Sequence, residues 1–381
     1  MSTRRHPSQA DDPSAEPLPG EREIIARVAA RFAAADTRLI TGLGDDAAVL
    51  HLQGAGSARR RDARHLVVTT DMLVEGVHFD LRYMTLADAG YKALTANLSD
   101  VAAMGGRATF AFGCLGVPRG TTTAQIDDLL DGVEQASRPC GVVLAGGDTV
   151  MAHHWTIAFT VLGTVQGPPL LRSGARPGDR LWHTGSLGLS EVGLRLLWGE
   201  ADGRPRTEGV DEARQAHRRP APALDFAPAL HAAHLASAGL DTSDSLAQCV
   251  LLLAEASGVG VHLDFTRYAF HPAVLRFIAR CGRKWRDGGT TLPAKLCPSG
   301  RPEAYSSLSE FVLSSAEDFQ LLFTAPPAGS RKLMRLAKAH GVALAPLGKV
   351  VDMAKGSHYR DEDGATHSLA PIGYQHLTDP E

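Results

Sequence analysis

The apolar residues of this chain switch repeatedly between two spacings, and that alternation constrains the fold most. Leu66-Val67-Val68-Thr69-Thr70 is a short β-branched run, which predicts a strand delivering Asp71 at its end. From Leu86 to Met104 apolar residues recur at helical spacing until Gly105-Gly106 stops them. Two apolar β-rich stretches follow, Ala108–Val117 and Thr156–Val165, with a helical pattern between them over Thr123–Ser137. Strands alternating with helices predict an α/β or α+β architecture. Helical spacing also marks Glu23–Phe32, Leu189–Trp198, Pro222–Ser237 and Ser243–Ser257.

Punctuation divides the pattern. Gly167-Pro168-Pro169 and Arg176-Pro177-Gly178-Asp179 place a boundary between an N-terminal domain of residues 21–167 and a C-terminal α/β domain of residues 168–381. Residues 1–20, rich in Pro, Ser and charge, read as a disordered leader and not as a signal peptide. Residues 280–309, rich in Gly, Pro, Ser and Lys, read as a long surface insertion.

Composition excludes several function classes. With 44% hydrophobic residues, 21% charged residues and a net charge of -3, the 381-residue chain has no basic footprint for nucleic acid. The run Arg59-Arg60-Arg61 reads as a solvated loop. No 18 apolar residues run together, so no membrane span is expected. The 5 cysteines include no C-x-x-C pair, which points away from disulfides and thiolate metal sites and toward a reducing cytoplasm. Walker, G-x-G-x-x-G, H-E-x-x-H and G-x-S-x-G motifs are all missing.

What remains is a set of aspartates beside glycine or small residues: Asp45, Asp46, Asp71, Asp100, Asp148, Asp241 and Asp244. Taken singly, each is first a turn or a helix cap; Asp244, ahead of an apolar helical run, is the clearest case. Taken together, carboxylates at strand ends or tight turns suit hard cations, with glycine letting backbone approach a phosphate.

The order of these motifs resembles that of the thiamine-monophosphate kinase family, within the aminoimidazole ribonucleotide synthetase superfamily. Gly42-Leu43-Gly44-Asp45-Asp46-Ala47-Ala48-Val49-Leu50 is similar to its opening signature, and Thr69-Thr70-Asp71 through Gly76-Val77-His78-Phe79 follows at the right distance. Tyr91-Lys92-Ala93-Leu94, Asn97-Leu98-Ser99-Asp100, Gly146-Gly147-Asp148-Thr149 and Arg172-Ser173-Gly174-Ala175 continue the series. The later matches depart from the family pattern. Asp241-Thr242-Ser243-Asp244-Ser245-Leu246 has Ser245 where the family has glycine, and Ser314-Ser315-Ala316-Glu317-Asp318 has Ser315 and Ala316 for two glycines. Gly373-Tyr374-Gln375-His376 resembles the family's terminal motif.

The resemblance implies a two-domain architecture whose N-terminal sheets pair across a homodimer, with ATP between the domains. It implies that Asp46, Thr69, Thr70, Asp71 and Asp100 hold several Mg²⁺ ions, joined by Asp148, Asp241 and Asp244. It places Gly147, Asp148, Arg172 and Ser243 at ATP, and His78, Glu317 and Tyr374 at the substrate; Asp71, Asp148 and Asp244 would carry the chemistry. The reaction implied is ATP-dependent phosphorylation of thiamine monophosphate to thiamine diphosphate. Two other readings stand beside it: a related ATP-dependent enzyme acting on a different small phosphate, amide or amine, and a non-catalytic nucleotide-binding protein.

Overall fold

The computed structural model describes residues 21–31, 38–42, 44–51, 64–201, 203, 206, 208–280, 290–292 and 303–374. The expected leader, residues 1–20, lies outside them. The chain divides into two units, Met1–Ala35 with Gln375–Glu381, and Asp36–Tyr374. In the first unit the described element is helix α1 (Glu21–Arg31). Everything below concerns the second.

Its first half builds one sheet from β1 (Leu39–Thr41), β2 (Ala48–His51), β3 (Arg64–Val74), β4 (Arg107–Pro118), β5 (Val143–Ala152) and β6 (Thr156–Gln166). The order is β1-β2-β3-β6-β4-β5, antiparallel throughout except for the β4–β5 pair. A parallel pair needs a crossover, and α3 (Thr123–Ser137) supplies it. Along β6, Ile157, Phe159, Val161 and Val165 alternate into the core, as period 2 requires of a sheet covered on one face. The cover is α2 (Leu86–Ala103) with α3, through Leu94, Leu98, Val101, Leu129 and Val133.

Helix α2 is buried at every position except Tyr91, because it is packed on more than one side. Its start is fixed by a reciprocal cap: Asp88 N donates to Thr85 Oγ1 at 3.0 Å, and Thr85 N donates to Asp88 Oδ2 at 3.3 Å. Its last turn, Ala102 and Ala103, joins a cluster with Trp182, Phe226, Leu230 and Phe323 from the second half of the chain.

That second half holds β7 (Arg180–Thr184), α4 (Leu189–Ala201), α5 (Asp211–Arg218), α6 (Phe226–Ala232), β8 (Ala238–Asp241), α7 (Leu246–Ser257), β9 (Val259–Asp264) and α8 (Pro272–Arg280). A short antiparallel pair follows, β10 (Thr290–Leu292) with β11 (Glu303–Tyr305). Then come α9 (Leu308–Ser314), β12 (Leu321–Ala325), α10 (Ser330–Ala339), β13 (Leu344–Asp352), β14 (His358–Arg360) and β15 (Thr366–Ser368). Its sheet runs β15-β14-β9-β13-β7-β12-β8, with only β14–β9 parallel. One core layer gathers Leu181, Val192, Leu240, Val250, Phe277, Phe311 and Leu322. The architecture is mixed α/β with two sheets. Among the described residues no helix is long and apolar enough to cross a membrane.

Three sequence expectations need correction. The helix expected over residues 222–237 shortens to α6, because His234 turns to a left-handed φ of 52° just beyond it. Asp71 lies inside β3, which runs on to Val74, and not at a strand end. Gly146-Gly147-Asp148 was expected in a turn or at a strand end and instead lies within β5, paired to β4. The 280–309 insertion contains the β10–β11 pair; residues 281–289 and 293–302 lie outside the described set.

Thr85→Ala removes the hydroxyl that starts α2 and is expected to cost about 1 kcal/mol of stability, with Thr85→Asp recovering most of it. Thermal unfolding of the two variants checks this.

Candidate functional site

Strand β3 alternates its side chains, so Thr69 and Asp71 face α2 while Thr70 and Met72 face the opposite, open side. The middle of β3 therefore meets the last turns of α2. Thr69 Oγ1 donates to Asp100 Oδ2 at 2.6 Å, and Asp71 N donates to Asn97 Oδ1 at 3.1 Å. The same turn of α2 reaches β8: Ser99 Oγ donates to Asp241 Oδ2 at 2.7 Å, and Ser243 Oγ covers the other oxygen at 2.9 Å. Asp46, ahead of β2, is held by Arg172, whose Nε and Nη2 lie 2.9 and 2.5 Å from Asp46 Oδ1. Asp45 is not part of this group. It accepts the Arg172 backbone N–H and so fixes the linker between the two sheets.

Asp46, Asp71, Asp100 and Asp241 thus come from four separate segments into one cluster, Asp71 half-buried and the other three buried. Burial pushes the Asp46 carboxyl up to about 8, against the pull of Arg172 and with Asp241 adding to the rise. Burial and Asp241 push Asp71 up to about 6. Burial, then Asp71, Asp241 and Asp46, push Asp100 well above the usual range. Asp241 is raised by burial too, although Ser99 and Ser243 oppose it. Such crowding is unfavourable unless a proton or a cation is shared.

The donor set fits a hard divalent cation. Asp46 Oδ2 is buried with no hydrogen-bond partner, a carboxylate oxygen left over for a positive charge. Among the described residues no three His, Cys, Asp or Glu side chains are arranged to hold one ion by themselves. Mg²⁺ makes no such demand, because it takes one or two carboxylates and fills its octahedron with water and phosphate oxygens.

Two of the expected residues lie elsewhere in this chain. Thr70 gives its hydroxyl to Phe159 O at 3.1 Å on the open face. Asp148 is opposite Cys114 on the exposed edge strand β5, and the ladder from Thr70 through Thr160 and Phe112 to Gly146 puts Thr70 and Asp148 on the same open face. Asp148 is therefore about three strand spacings, roughly 14 Å, from β3. Gly147 beside it is required by packing: an added Cβ would lie 1.8 Å from Gly113 O. Beneath them, between α3 and β5, is a cavity of about 340 Å³ lined by Leu115, Leu129, Val133, Leu144 and Phe159.

Ser243 and Asp244 are exposed beside the buried Asp241. Ser245, not Asp244, caps α7, accepting Gln248 N at 3.3 Å, so the serine that replaces glycine has a local function and leaves Asp244 unused by the helix. Ser315 has an extended backbone and donates to Phe311 O at 2.8 Å. The left-handed residues of that loop are Glu317 (φ 58°) and Phe319 (φ 50°), so glycine is not needed at Ser315 or Ala316. Tyr374 is 66% exposed and follows Gly373, where an added Cβ would meet Ser245 Cβ at 2.7 Å.

His78 and Glu317 meet through a residue the sequence reading quoted without a role. Lys92 Nζ is 2.9 Å from Glu317 Oε2 and donates to His78 O at 3.3 Å. His78 Nδ1 accepts Val74 N at 3.1 Å, which locks the turn after β3. Ser99 and His217 were also missed. A lysine at position 92, in an otherwise apolar stretch of α2, was the available signal.

Sequence comparison matches residues 44–165 to the AIR synthase related protein N-terminal domain and residues 176–361 to its C-terminal domain. The chain is 34% identical over 340 residues to thiamine-monophosphate kinase of Mycobacterium tuberculosis, covering 88% of this chain and 90% of that one. It is 30% identical to the Bacillus subtilis thiamine-monophosphate kinase, with 88% and 93% covered. Among solved structures, AaThiL complexed with AMPPCP and TMP superimposes with a TM-score of 0.72 at 25% identity, covering 94% of this chain and 97% of that one. Thiamine-monophosphate kinase from Stenotrophomonas maltophilia K279a gives 0.67 at 28% identity, with 91% and 96% covered.

The acid cluster has a pH signature. Each of these carboxyls holds its proton more tightly folded than unfolded, so their contribution is full below about pH 4. It is lost as pH rises toward the Asp46 value of about 8. In chelator, the thermal midpoint should fall from about pH 5 to about pH 8, and Mg²⁺ should reduce that fall. Asp100→Asn should raise the metal-free midpoint at the upper end of the range; a lower midpoint would contradict the arrangement.

Proposed function

Because the chain belongs to the thiamine-monophosphate kinase family of AIR synthase related proteins, and is a phosphotransferase of that kind, we propose that it transfers the γ-phosphoryl group of ATP directly to the phosphate of thiamine monophosphate, with Mg²⁺. The observation that carries the reading is the convergence of the buried Asp46, Asp100 and Asp241 with the half-buried Asp71 in one cluster that leaves a carboxylate oxygen unpartnered. An acid cluster of this kind has a use when two polyanions must be brought together.

The acceptor is already an anionic phosphate oxygen, so no side chain has to remove a proton from it. Catalysis reduces to position and charge. Asp46, Asp71, Asp100 and Asp241 would hold Mg²⁺, with Thr69, Ser99 and Ser243 orienting them through the hydrogen bonds above. When bound, Mg²⁺ neutralises the phosphate oxygens. Arg172 lies over Asp46 with its side chain 19% exposed, ready to turn to a nucleotide phosphate. Ser243 and Asp244 stand at the open side of the cluster for ATP. His78, Glu317 and Tyr374 serve the acceptor end.

Gly147, Asp148 and Thr70 enter this reading through a second copy. The open face of the first sheet exposes Met72 (54%), Phe110 (48%), Phe112 (39%) and Val150 (56%) around Thr70 and Asp148. An apolar face ending in an unpaired edge strand is a surface for self-association. A homodimer closed through that face would carry Asp148 of one copy toward Thr70 of the other, the neighbour of Asp71 in β3, which one chain alone does not achieve.

A coupled assay tests the reading: ADP should form only when Mg²⁺, ATP and thiamine monophosphate are all present, and turnover with another small phosphate in its place would remove the acceptor assignment. Asp71→Asn should lower kcat by roughly 100-fold or more while leaving the fold intact. Mixing Asp71→Asn with Asp148→Asn subunits should restore about a quarter of wild-type activity, since half the dimers are mixed and one of their two sites is whole. No restoration would confine Asp148 to its own chain.

A further inference from the structure

Lys92 sits midway along α2 with 1% of its side chain exposed, and its ammonium touches two segments expected to meet the acceptor. A buried ammonium is costly, and a well-packed apolar side chain at such a position is often as stable or more so. The surroundings are shaped around the carboxylate it holds. His217 of α5 brings Nδ1 to 3.7 Å from Glu317 Oε2 and 3.2 Å from Ser190 Oγ, with Nε2 buried and unpartnered. Burial and the nearby Lys92 keep this imidazole neutral, pulled down to about 3. Burial alone would raise the Glu317 carboxyl; the Lys92 ammonium reverses that and holds it below the usual range.

The backbone is arranged to the same end. Glu317 has a left-handed φ of 58°, strained for a residue with a side chain. It is kept there by Glu317 N donating to Ser243 O at 2.9 Å and Phe319 N donating to Thr242 O at 3.0 Å. The loop carrying Glu317 is thereby stitched to the loop carrying Asp241, while Lys92 and Ser99 stand seven residues apart on one face of α2. Strain, a buried cation and two backbone ties all fix a single carboxylate that remains 26% exposed.

We propose that Lys92 is the positioning residue of the acceptor end: it holds the Glu317 carboxylate in one orientation to receive a cationic or N–H-donating nitrogen heterocycle of the acceptor. The inference rests on the kinase reading and adds to it the way that end is organised. Lys92 acts through Glu317 and does not touch the transferred phosphoryl group.

The test is steady-state kinetics on the full-length protein with ATP, Mg²⁺ and thiamine monophosphate, beside thermal unfolding. Lys92→Met should raise the acceptor KM by about tenfold or more while the KM for ATP stays within about twofold. Glu317→Gln should do the same, and the double variant should be no worse than the worse single one, because the two residues act as a unit. An acceptor KM unchanged in Lys92→Met would overturn the proposal, as would a parallel rise in both KM values with a lowered midpoint, the mark of a purely structural lysine. If Lys92→Met does not fold, Lys92→Met/Glu317→Gln, which leaves no unpaired buried charge, is compared with Glu317→Gln. Equal acceptor KM values support the proposal. A further rise, or failure of the double variant to fold, overturns it. A wild-type chain that turns over no thiamine monophosphate removes the kinase reading and this inference with it.

Discussion

Like charges held together against their repulsion set the terms for the rest of this molecule. Asp46, Asp71, Asp100 and Asp241 are drawn from two sheets and a helix, and Asp46, Asp100 and Asp241 are each met by a donor that is itself fixed in place. Thr69 is fixed by β3, Ser99 by α2, and Arg172 by the Asp45 contact to its backbone. The fold spends these donors on keeping carboxylates close, which would be poor design for stability alone. Their crowding makes sense as affinity held in reserve for cations and phosphate.

The helix that runs through the middle of the second unit makes the cluster possible. Because α2 is covered on nearly all sides, it presents different residues to different partners: Lys92 to Glu317, Asn97 to β3, Ser99 to β8 and Asp100 to Thr69. The acceptor end and the phosphate end are therefore not two sites joined by a flexible linker. They are two positions on one rod, about 10 Å apart at the rise of an α-helix.

Much of this architecture could be read from residue types. The helices over 86–104 and 123–137 were legible because their interiors keep a helical period, closed in the first by Gly105-Gly106. Strand β5 was not, since Ala145-Gly146-Gly147 has little strand propensity and is held extended only by its ladder to β4. The aspartates announced themselves as a set, yet which face each residue takes is a tertiary matter. Period 2 alone separates Thr69 from Thr70, and the edge position of β5 removes Asp148 from the others within one chain. Ser99 and His217 carried no local signal, because their meaning arises only where α2 crosses distant segments, and Lys92 offered only a charge in an otherwise apolar stretch. The left-handed turn at Glu317 was equally silent, since nothing in its side chain favours that conformation.

The rod has a consequence for how such a chain can diverge. A residue inserted in α2 between Lys92 and Ser99 would swing one group of side chains by about 100° relative to the other. Insertions are thus barred from that stretch, whereas segments that make no contact with Lys92, Ser99 or their partners carry no such constraint on length. New acceptors would be acquired at the periphery of an axle whose register is inherited intact.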